Sequence, residues 1–454
     1  MSTATTVTQL DDLNEHSHGS DRGTYILRAQ ATREDEETEQ HEPPADAFES
    51  FPDGGFEAWK VVCICMVLIF WMNGYATTWG VLQTAILQTS DLKVDIRTLT
   101  FVGSLALACV VSCGMLSVRL IKVIGARYAC LIAVLLFSSG PILTSFTLDN
   151  IGGLFCTSGV LVGLGSSILY TAGNSLPVQW FSSKLGTANG LVKAGGGIGA
   201  TVLPIAAQGL VDAIGLPWTF RTFGFLMLAT GVPSALLIKE RGPTGSVARM
   251  DWSLLKSIPF LCLCLAGAVS TFAIFVPPFF IPLFANSIGL SSSTGAALVA
   301  GFGISTTIGR MLSGVVCDKI GALNTVAITM LTIAVSMLAI WPVSSSLAPL
   351  IVFAAINGAG NGSFYVAMPT AMAALARPDL ASGAMSLATS FWTPGYLLGA
   401  PIAGILISAT GAASSSSIEP YRLAIFYAGG VSVAGLAFVS ITRFKMDMKV
   451  LKKL

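Results

Sequence analysis

The sequence predicts an all-α integral membrane protein with about twelve transmembrane helices, arranged as two pseudo-symmetric six-helix bundles. Three observations lead to this fold class. The 454-residue chain is 53% hydrophobic and only 11% charged, whereas soluble proteins carry roughly a quarter charged residues. Its apolar stretches are each about 20 residues long, which is the length that a helix needs to cross a bilayer. Short motifs in the first half of the chain also recur in the second half.

The hydrophobic stretches predict twelve spans in two groups of six. Residues 1–52 are polar and acidic, and we expect a disordered cytoplasmic tail because they could not bury a core. A cytoplasmic loop at 239–257 is predicted to separate an N-terminal bundle, 53–238, from a C-terminal bundle, 258–442, and 443–454 is predicted to be a basic cytoplasmic tail. The predicted spans 1 to 12 are 61–83, 99–118, 128–148, 151–173, 187–211, 219–238, 259–285, 294–316, 324–345, 349–374, 383–409 and 421–441.

Lysine and arginine residues are concentrated in the connections on one side of these spans. They follow span 2, precede span 5, and occur in the central loop and the C-terminal tail. The connections on the other side have almost none, and only Lys93 and Arg97 after span 1 break the pattern. By the positive-inside rule both termini are predicted to be cytoplasmic. We expect a multi-pass protein of the plasma membrane, with the vacuolar membrane as the alternative.

An internal repeat supports the division into two bundles. Residues 163–170 (GLGSSILY) in span 4 resemble 358–365 (GAGNGSFY) in span 10, and 203–206 (LPIA) in span 5 resemble 400–403 (APIA) in span 11. Two further pairs lie at the start of spans 5 and 11 and after spans 2 and 8. All four pairs share an offset of about 195 residues, which is hard to obtain by chance.

Two motifs lie next to spans 1 and 5. Residues 53–59 (DGGFEAW) precede span 1, and residues 180–195 (WFSSKLGTANGLVKAG) lead into span 5. Both resemble signatures of the monocarboxylate-porter branch of the major facilitator superfamily, particularly its fungal members, and the resemblance covers roughly residues 53 to 442. It implies a secondary transporter whose substrate path lies between two parallel six-helix repeats.

The superfamily's loop motif is present in part. Residues 314–321 (GVVCDKIG) keep it, and the resemblance implies a conformational latch made by Asp318 and Lys319, with Arg127 in the corresponding N-terminal loop. An acid at such a place can cap a helix N-terminus and pair with a basic residue. Because Lys122 stands where the N-terminal acid would be, we expect the N-terminal latch to be incomplete.

Two ionisable residues lie well inside predicted spans, where a charge is costly and usually functional. Lys193 is about two turns into span 5, and Arg310 lies within span 8, where it matches the arginine that the resembled family uses for substrate. The alternatives are that Lys193 extends to the cytoplasmic interface and that Arg310 pairs with a loop acid. In a central cavity either cation would attract an anionic substrate.

Polar and aromatic residues near the predicted midplane are further candidates for substrate contact or helix cross-linking. The resembled family's mammalian members carry an aspartate at the place of Thr306, and every Asp and Glu after position 60 falls in a predicted loop or tail. Proton coupling therefore does not follow from the sequence, and the proton is left as a candidate coupling ion. The candidates are Asn73, Tyr75, Tyr170, Asn174, Asn357, Asn361, Tyr365 and Trp392.

These features favour a secondary active transporter that moves a small organic anion or metabolite by alternating access, and we favour export of a fungal secondary metabolite. The alternatives are proton-coupled uptake of a short-chain monocarboxylate and a non-transporting membrane sensor. We expect no enzyme, because no cluster of catalytic residues is present. The nine cysteines and three histidines indicate no metal site, and we predict no cofactor and no nucleic-acid partner. The expected partners are the small-molecule substrate and the lipid bilayer, with the proton as a candidate coupling ion.

Overall fold

The computed structural model describes residues 54–89, 95–181, 185–241, 252–376, 381–410 and 418–446, which are almost entirely helical. Within these ranges, twelve helical segments, some bent or broken, lie at the places of the predicted spans and keep their numbers. The predicted N-terminal tail, much of the central loop and the end of the C-terminal tail lie outside the described residues. The bounds are Phe56–Thr89 for span 1, Ile96–Ser112 and Gly114–Ile124 for span 2, Ala126–Thr144 for span 3, Ile151–Ser175 for span 4, Leu185–Ile214 for span 5, Leu216–Leu236 for span 6, Ile258–Ile274 and Val276–Ser287 for span 7, Ser292–Ile320 for span 8, Ala322–Val343 for span 9, Leu347–Ala374 for span 10, Ala381–Ser390 and Thr393–Ala409 for span 11, and Glu419–Met446 for span 12.

Most of these segments are long and apolar enough to cross a membrane. Among the described residues ten helices meet that test alone, and the two parts of span 2, bent by 56°, make an eleventh together. Span 6 is 21 residues long, but Arg221, Pro217 and Pro233 lower its mean hydropathy. It nevertheless packs along spans 3 and 1 as part of the N-terminal bundle. The prediction of an all-α membrane protein built from two six-helix bundles is confirmed.

Several helices run past their predicted bounds because the prediction stopped near charged residues. Span 5 continues to Ile214 and span 8 to Ile320. A charged side chain in a final turn can reach the headgroup region without ending the helix. Asp212 and Asp318, which the prediction assigned to loops, therefore lie in the last turns of these two helices.

Two repeat-related glycines form the tight turns after spans 2 and 8. Gly125 and Gly321 have φ angles of 84° and 93°, which a residue without a Cβ adopts at little cost. In each turn one helix ends directly before the glycine and the next begins directly after it. These glycines belong to one of the repeated motif pairs, so the repeat in the sequence corresponds to a repeated turn.

The helices pack in the same pattern in both halves of the chain. Span 1 lies along span 5, and span 7 lies along span 11 in the same way. Spans 2 and 4 pack together as spans 8 and 10 do, and spans 3 and 6 pack together as spans 9 and 12 do. This correspondence is the pseudo-symmetry that the internal repeat predicted.

The two halves meet chiefly along three helix pairs, namely span 1 with 7, span 2 with 11, and span 5 with 8. We call the side that holds residues 54 and 446 the termini face and the opposite side the distal face. Toward the distal face, a Cβ on Gly80 would overlap the backbone carbonyl oxygen of Pro278. Deeper in the interface, a Cβ on Gly303 would lie 2.6 Å from the carbonyl oxygen of Ala200. Glycine therefore allows the halves to touch backbone to backbone.

Replacing Gly80 with alanine should separate spans 1 and 7 and lower the melting temperature of the purified protein. Overpacking of a tight contact costs roughly 1–3 kcal/mol, and here the obstructing atom is backbone that cannot rotate away. Gly209→Ala is the matched control, because a Cβ there meets nothing within 4 Å. Intrinsic fluorescence melting in detergent would measure both variants, and equal melting temperatures would contradict the prediction.

Candidate substrate site between the two halves

Lys193 and Arg310 lie about halfway through the membrane-spanning part of the fold. Lys193 comes about eight residues after the start of span 5, and Arg310 about ten residues before the end of span 8. At about 1.5 Å per residue both lie roughly 12–15 Å from the helix ends at the termini face. This is the middle of a hydrocarbon core of about 30 Å, where a charge is most costly.

The Lys193 ammonium contacts two residues of span 4. Its Nζ donates a hydrogen bond to Oδ1 of Asn174 at 2.5 Å and lies 4.9 Å from the centre of the Tyr170 ring. The Nδ2 of Asn174 donates to the carbonyl oxygen of Tyr170 at 2.7 Å, which orients the amide oxygen toward the lysine. An amide and an aromatic face thus stabilise the cation, while 42% of the Tyr170 surface remains exposed.

Arg310 faces tyrosines in the C-terminal half. Its guanidinium carbon lies 5.2 Å from the centre of the Tyr365 ring, and the Tyr396 hydroxyl donates to the Tyr365 hydroxyl at a long 3.4 Å. The Nε of Arg310 is buried without a hydrogen-bond partner in the described structure. Of the ion pairs that join two described residues, none includes Arg310 or Lys193. An unsatisfied buried donor is costly, so a further hydrogen-bond acceptor at this Nε would be stabilising.

These groups from the two halves lie near one another at the boundary between the halves. They are close enough for the charge of Arg310 to act electrostatically on Lys193 and Tyr170, and for Tyr170 to act on Tyr365 and Tyr396. Tyr170 and Tyr365 are equivalent in the internal repeat, and each has a cation over its ring. Among the described residues the site is positive, rich in donors and without a carboxylate, a combination that can bind an anion. We name as the central cluster Tyr170, Asn174, Lys193, Arg310, Tyr365 and Tyr396.

Two other predicted candidates lie in contacts inside the N-terminal half. The side chain of Tyr75 is 3% exposed and packs edge-on against the rings of Phe137 and Phe223. Asn73 faces span 5, where its Nδ2 leaves no room for a Cβ on Gly196. Both side chains are therefore placed by packing between neighbouring helices of one half.

Asn357 and Asn361 make hydrogen bonds inside the C-terminal half. The Nδ2 of Asn357 donates to Oγ of Ser336 at 2.8 Å, and that of Asn361 donates to the carbonyl oxygen of Ile274 at 2.8 Å. That carbonyl lies at the break in span 7, where its helical partner would be the N–H of residue 278, a proline that has none. Asn361 supplies the missing donor and so stabilises the broken helix.

Trp392 packs against the ring of Tyr396, a residue of the central cluster. Tyr396 is the cluster residue that the sequence prediction missed. The two rings stack at 6.4 Å between centres, and Trp392 also contacts Phe364 at 5.1 Å. Trp392 itself is 4% exposed. Its position in the sequence could have indicated it, because Tyr396 lies four residues, or one helical turn, after the predicted candidate Trp392.

The predicted latch residues lie at the termini face. The Nε of Arg127 donates to the carbonyl oxygen of Leu236 at 2.7 Å, so the start of span 3 is joined to the end of span 6. Asp318 and Lys319 are exposed in the last turn of span 8. Glu240, which the prediction did not single out, accepts a hydrogen bond from the backbone N–H of Ala126 and so caps span 3. A latch role for the predicted three remains a prediction.

A polar contact joins the halves at the distal face. The Oγ of Ser408 in span 11 donates to Oδ1 of Asp95, the residue that caps span 2, at 2.5 Å. The other oxygen of Asp95 pairs with Nε of Arg97 at 2.6 Å. We call Asp95, Arg97 and Ser408 the distal latch. Arg97 was visible in the sequence only as an exception to the charge pattern.

The sequence matches the family model described as Major Facilitator Superfamily over residues 62–296 and again over 263–450. The chain belongs to the major facilitator superfamily. The two overlapping matches together run from within span 1 to beyond the end of span 12.

Individual proteins of this superfamily resemble the chain over most of its length. It is 29% identical over 414 residues to an MFS-type transporter of Gibberella moniliformis, with 90% of this chain and 95% of the relative covered. It is 26% identical over 404 residues to the aspyridones efflux protein of Emericella nidulans, with 88% and 82% covered. A crystal structure of a variant of the nucleoside transporter NupG has a TM-score of 0.70 at 14% identity, covering 85% of this chain and 100% of that one. This last likeness concerns the fold alone.

Removing the donor of the distal latch should let the distal face open more often. Ser408→Ala deletes a hydrogen bond to a charged group, a kind of bond worth roughly 1.5–3 kcal/mol. Hydrogen–deuterium exchange should become faster in peptides that cover 95–107 and 400–409.

Ser440→Ala serves as the control for this experiment, since the Ser440 hydroxyl donates to the Leu436 carbonyl of its own helix at 2.9 Å and bonds to no other described residue. Unchanged exchange in the Ser408 variant would show that the contact does not hold the face closed.

Proposed function

We propose that this protein is a secondary active transporter of the plasma membrane that exports a small organic anion by alternating access. The observation that carries the proposal is the central cluster. It brings one cation from each half to the middle of the fold, among phenol hydroxyls and with no carboxylate among the described residues that form it. Placing a charge at this depth costs roughly 2.5–3.5 kcal/mol or more, and proteins keep such a charge where it binds a substrate.

The split of the cluster between the halves gives the anion a way to change the conformation. Without substrate, Lys193 and Arg310 repel each other across the boundary between the halves. An anion bound between them replaces that repulsion with two attractions, so it binds the state with the halves drawn together more tightly. The same movement of the halves puts strain on the contacts at the distal face. The distal latch then opens and releases the anion on the other side.

Export is the direction that we propose. With the distal latch joining the halves on one side, the exposed surface of Tyr170 would be loaded from the termini face, which the positive-inside rule predicts to be cytoplasmic. The similarity to an efflux protein of Emericella nidulans points in the same direction. Transport leaves the substrate chemically unchanged.

The membrane potential supplies the driving force in this proposal. An anion that leaves a cell with a negative interior gains about 2.3 kcal/mol per 100 mV for each charge that it carries. The acidic residues Asp212 and Asp318 lie in end turns of their helices, away from the depth of the cluster, so neither is placed to carry a proton with the substrate. Proton-coupled uptake, the alternative from the sequence, therefore makes a different prediction in the same assay.

Arg310→Gln should reduce anion transport by about tenfold or more, because the substrate loses a charge-assisted hydrogen bond. The assay follows radiolabelled benzoate at pH 7.5 into proteoliposomes that are made positive inside with a potassium gradient and valinomycin. Protein-free liposomes give the passive leak. Arg221→Gln is the matched control, because Arg221 stacks on Phe146 and Trp218 and bonds Ser145 away from the cluster. It should keep transport within about twofold of wild type.

The same vesicles separate the two candidate functions. Uptake that follows the imposed potential and depends on Arg310 supports the proposal. Uptake that follows a pH gradient and ignores the potential would contradict it and would favour proton-coupled monocarboxylate transport. Flux that is the same with and without protein would contradict both.

A further inference from the structure

We infer that the transported anion is planar and conjugated, an aromatic carboxylate, and that it is held between Tyr170 of one half and Tyr365 of the other. This inference rests on the proposed function and narrows its substrate class. It depends on the aromatic surface around the cations and on the balance of hydrogen-bond donors and acceptors.

The side of the site formed by the C-terminal half is aromatic. The Tyr396 ring lies 5.2 Å from that of Phe275 and is stacked near-parallel with Trp392 at an angle of 26°. Tyr365 adjoins Tyr396 through their hydroxyls and carries the Arg310 guanidinium over its ring. Aromatic rings attract other rings and delocalised planar groups beyond the effect of their area, whereas a saturated ring gains only the area. An aliphatic anion would not gain this additional attraction to the aromatic rings.

Arg310 favours a planar acid for a second reason. Its guanidinium is a rigid fork whose N–H groups match the two oxygens of a carboxylate in one plane. A conjugated ring attached to that carboxylate continues the plane, so one flat molecule can bond to the arginine and stack on a tyrosine. The buried Nε, which lacks a partner among the described residues, is one of the donors that such an acid would satisfy.

The cluster also offers more donors than acceptors. Lys193, Arg310 and the three tyrosine hydroxyls can donate, while the Asn174 amide oxygen already accepts from Lys193. The Tyr396 hydroxyl donates to Tyr365 at 3.4 Å, so the Tyr365 hydrogen is left for a substrate oxygen. A substrate with an additional oxygen next to its acidic group should therefore bind better than one with the acidic group alone.

The test measures binding of four small probes to the purified full-length protein in detergent by isothermal titration calorimetry. Benzoate is planar and anionic, salicylate adds one hydroxyl, cyclohexanecarboxylate has the same charge without planarity, and benzamide is planar without charge. We expect benzoate to bind about threefold to tenfold more tightly than cyclohexanecarboxylate, salicylate to bind at least as tightly as benzoate, and benzamide not to bind.

Two substitutions of Tyr365 test whether this residue causes the preferences for benzoate and salicylate. Tyr365→Leu should weaken benzoate binding more than cyclohexanecarboxylate binding, so that the two probes bind with about equal affinity. Tyr365→Phe should keep the preference for benzoate and remove any advantage of salicylate. Tyr128→Leu is the control, because Tyr128 is 62% exposed at the start of span 3, outside the cluster.

The outcomes distinguish this inference from the proposed function. Equal binding of benzoate and cyclohexanecarboxylate, both lost in Arg310→Gln, would overturn the inference and leave the anion transporter standing. A preference for benzoate that survives Tyr365→Leu would also overturn it. Absence of binding by every anion, or binding that does not depend on Arg310, would overturn the inference and the proposed function together.

Discussion

Close contact between spans 5 and 8 determines the geometry of the site. A Cβ on Gly197 would overlap the Thr307 side chain, and one on Gly303 would press against the Ala200 backbone. Lys193 lies one turn before Gly197 on its helix, and Arg310 lies about one turn after Thr307 on the other. The approach of two backbones that glycine allows therefore brings the two cations together. A larger side chain at Gly197 would separate the charges as well as the helices.

The same contact explains how one site can face two sides. The halves touch at this level and at the distal latch, so each half can turn about the middle contact while its own packing stays intact. Interactions within a half, such as the bond from Asn361 to the Ile274 carbonyl, need not change during that motion. Interactions between halves must change, and in the described structure these are the small-residue contacts, the bond between Asp95 and Ser408, and the facing charges of the cluster.

The sequence was sufficient for the architecture and for the two cations, but not for the partners of most polar residues. Apolar length and the repeat predict the helices because a bilayer requires every backbone group to bond within its own segment. Lys193 and Arg310 were visible because a charge in an apolar stretch is rare. Asn361 and Tyr75 looked equivalent to Asn174 and Tyr170, because a span that is apolar on all sides does not show which face meets a neighbouring helix and which meets the cleft. Only the three-dimensional packing separates these cases.

The internal repeat places equivalent tyrosines on the two sides of the site. The two cations, by contrast, are not equivalent, and they make the site asymmetric. Tyr170 and Tyr365 occupy equivalent positions in the two halves, but their cations come from helices that are not equivalent, span 5 for Lys193 and span 8 for Arg310. Arginine offers a planar two-pronged contact, and lysine offers a compact charge that any oxygen can meet. In the proposed function, an anion bound between them would meet two different ends and take one orientation, with its acidic group toward the C-terminal half. On this proposal, the equivalent tyrosines would flank the substrate in both the inward and the outward state, and the unequal cations would determine its orientation.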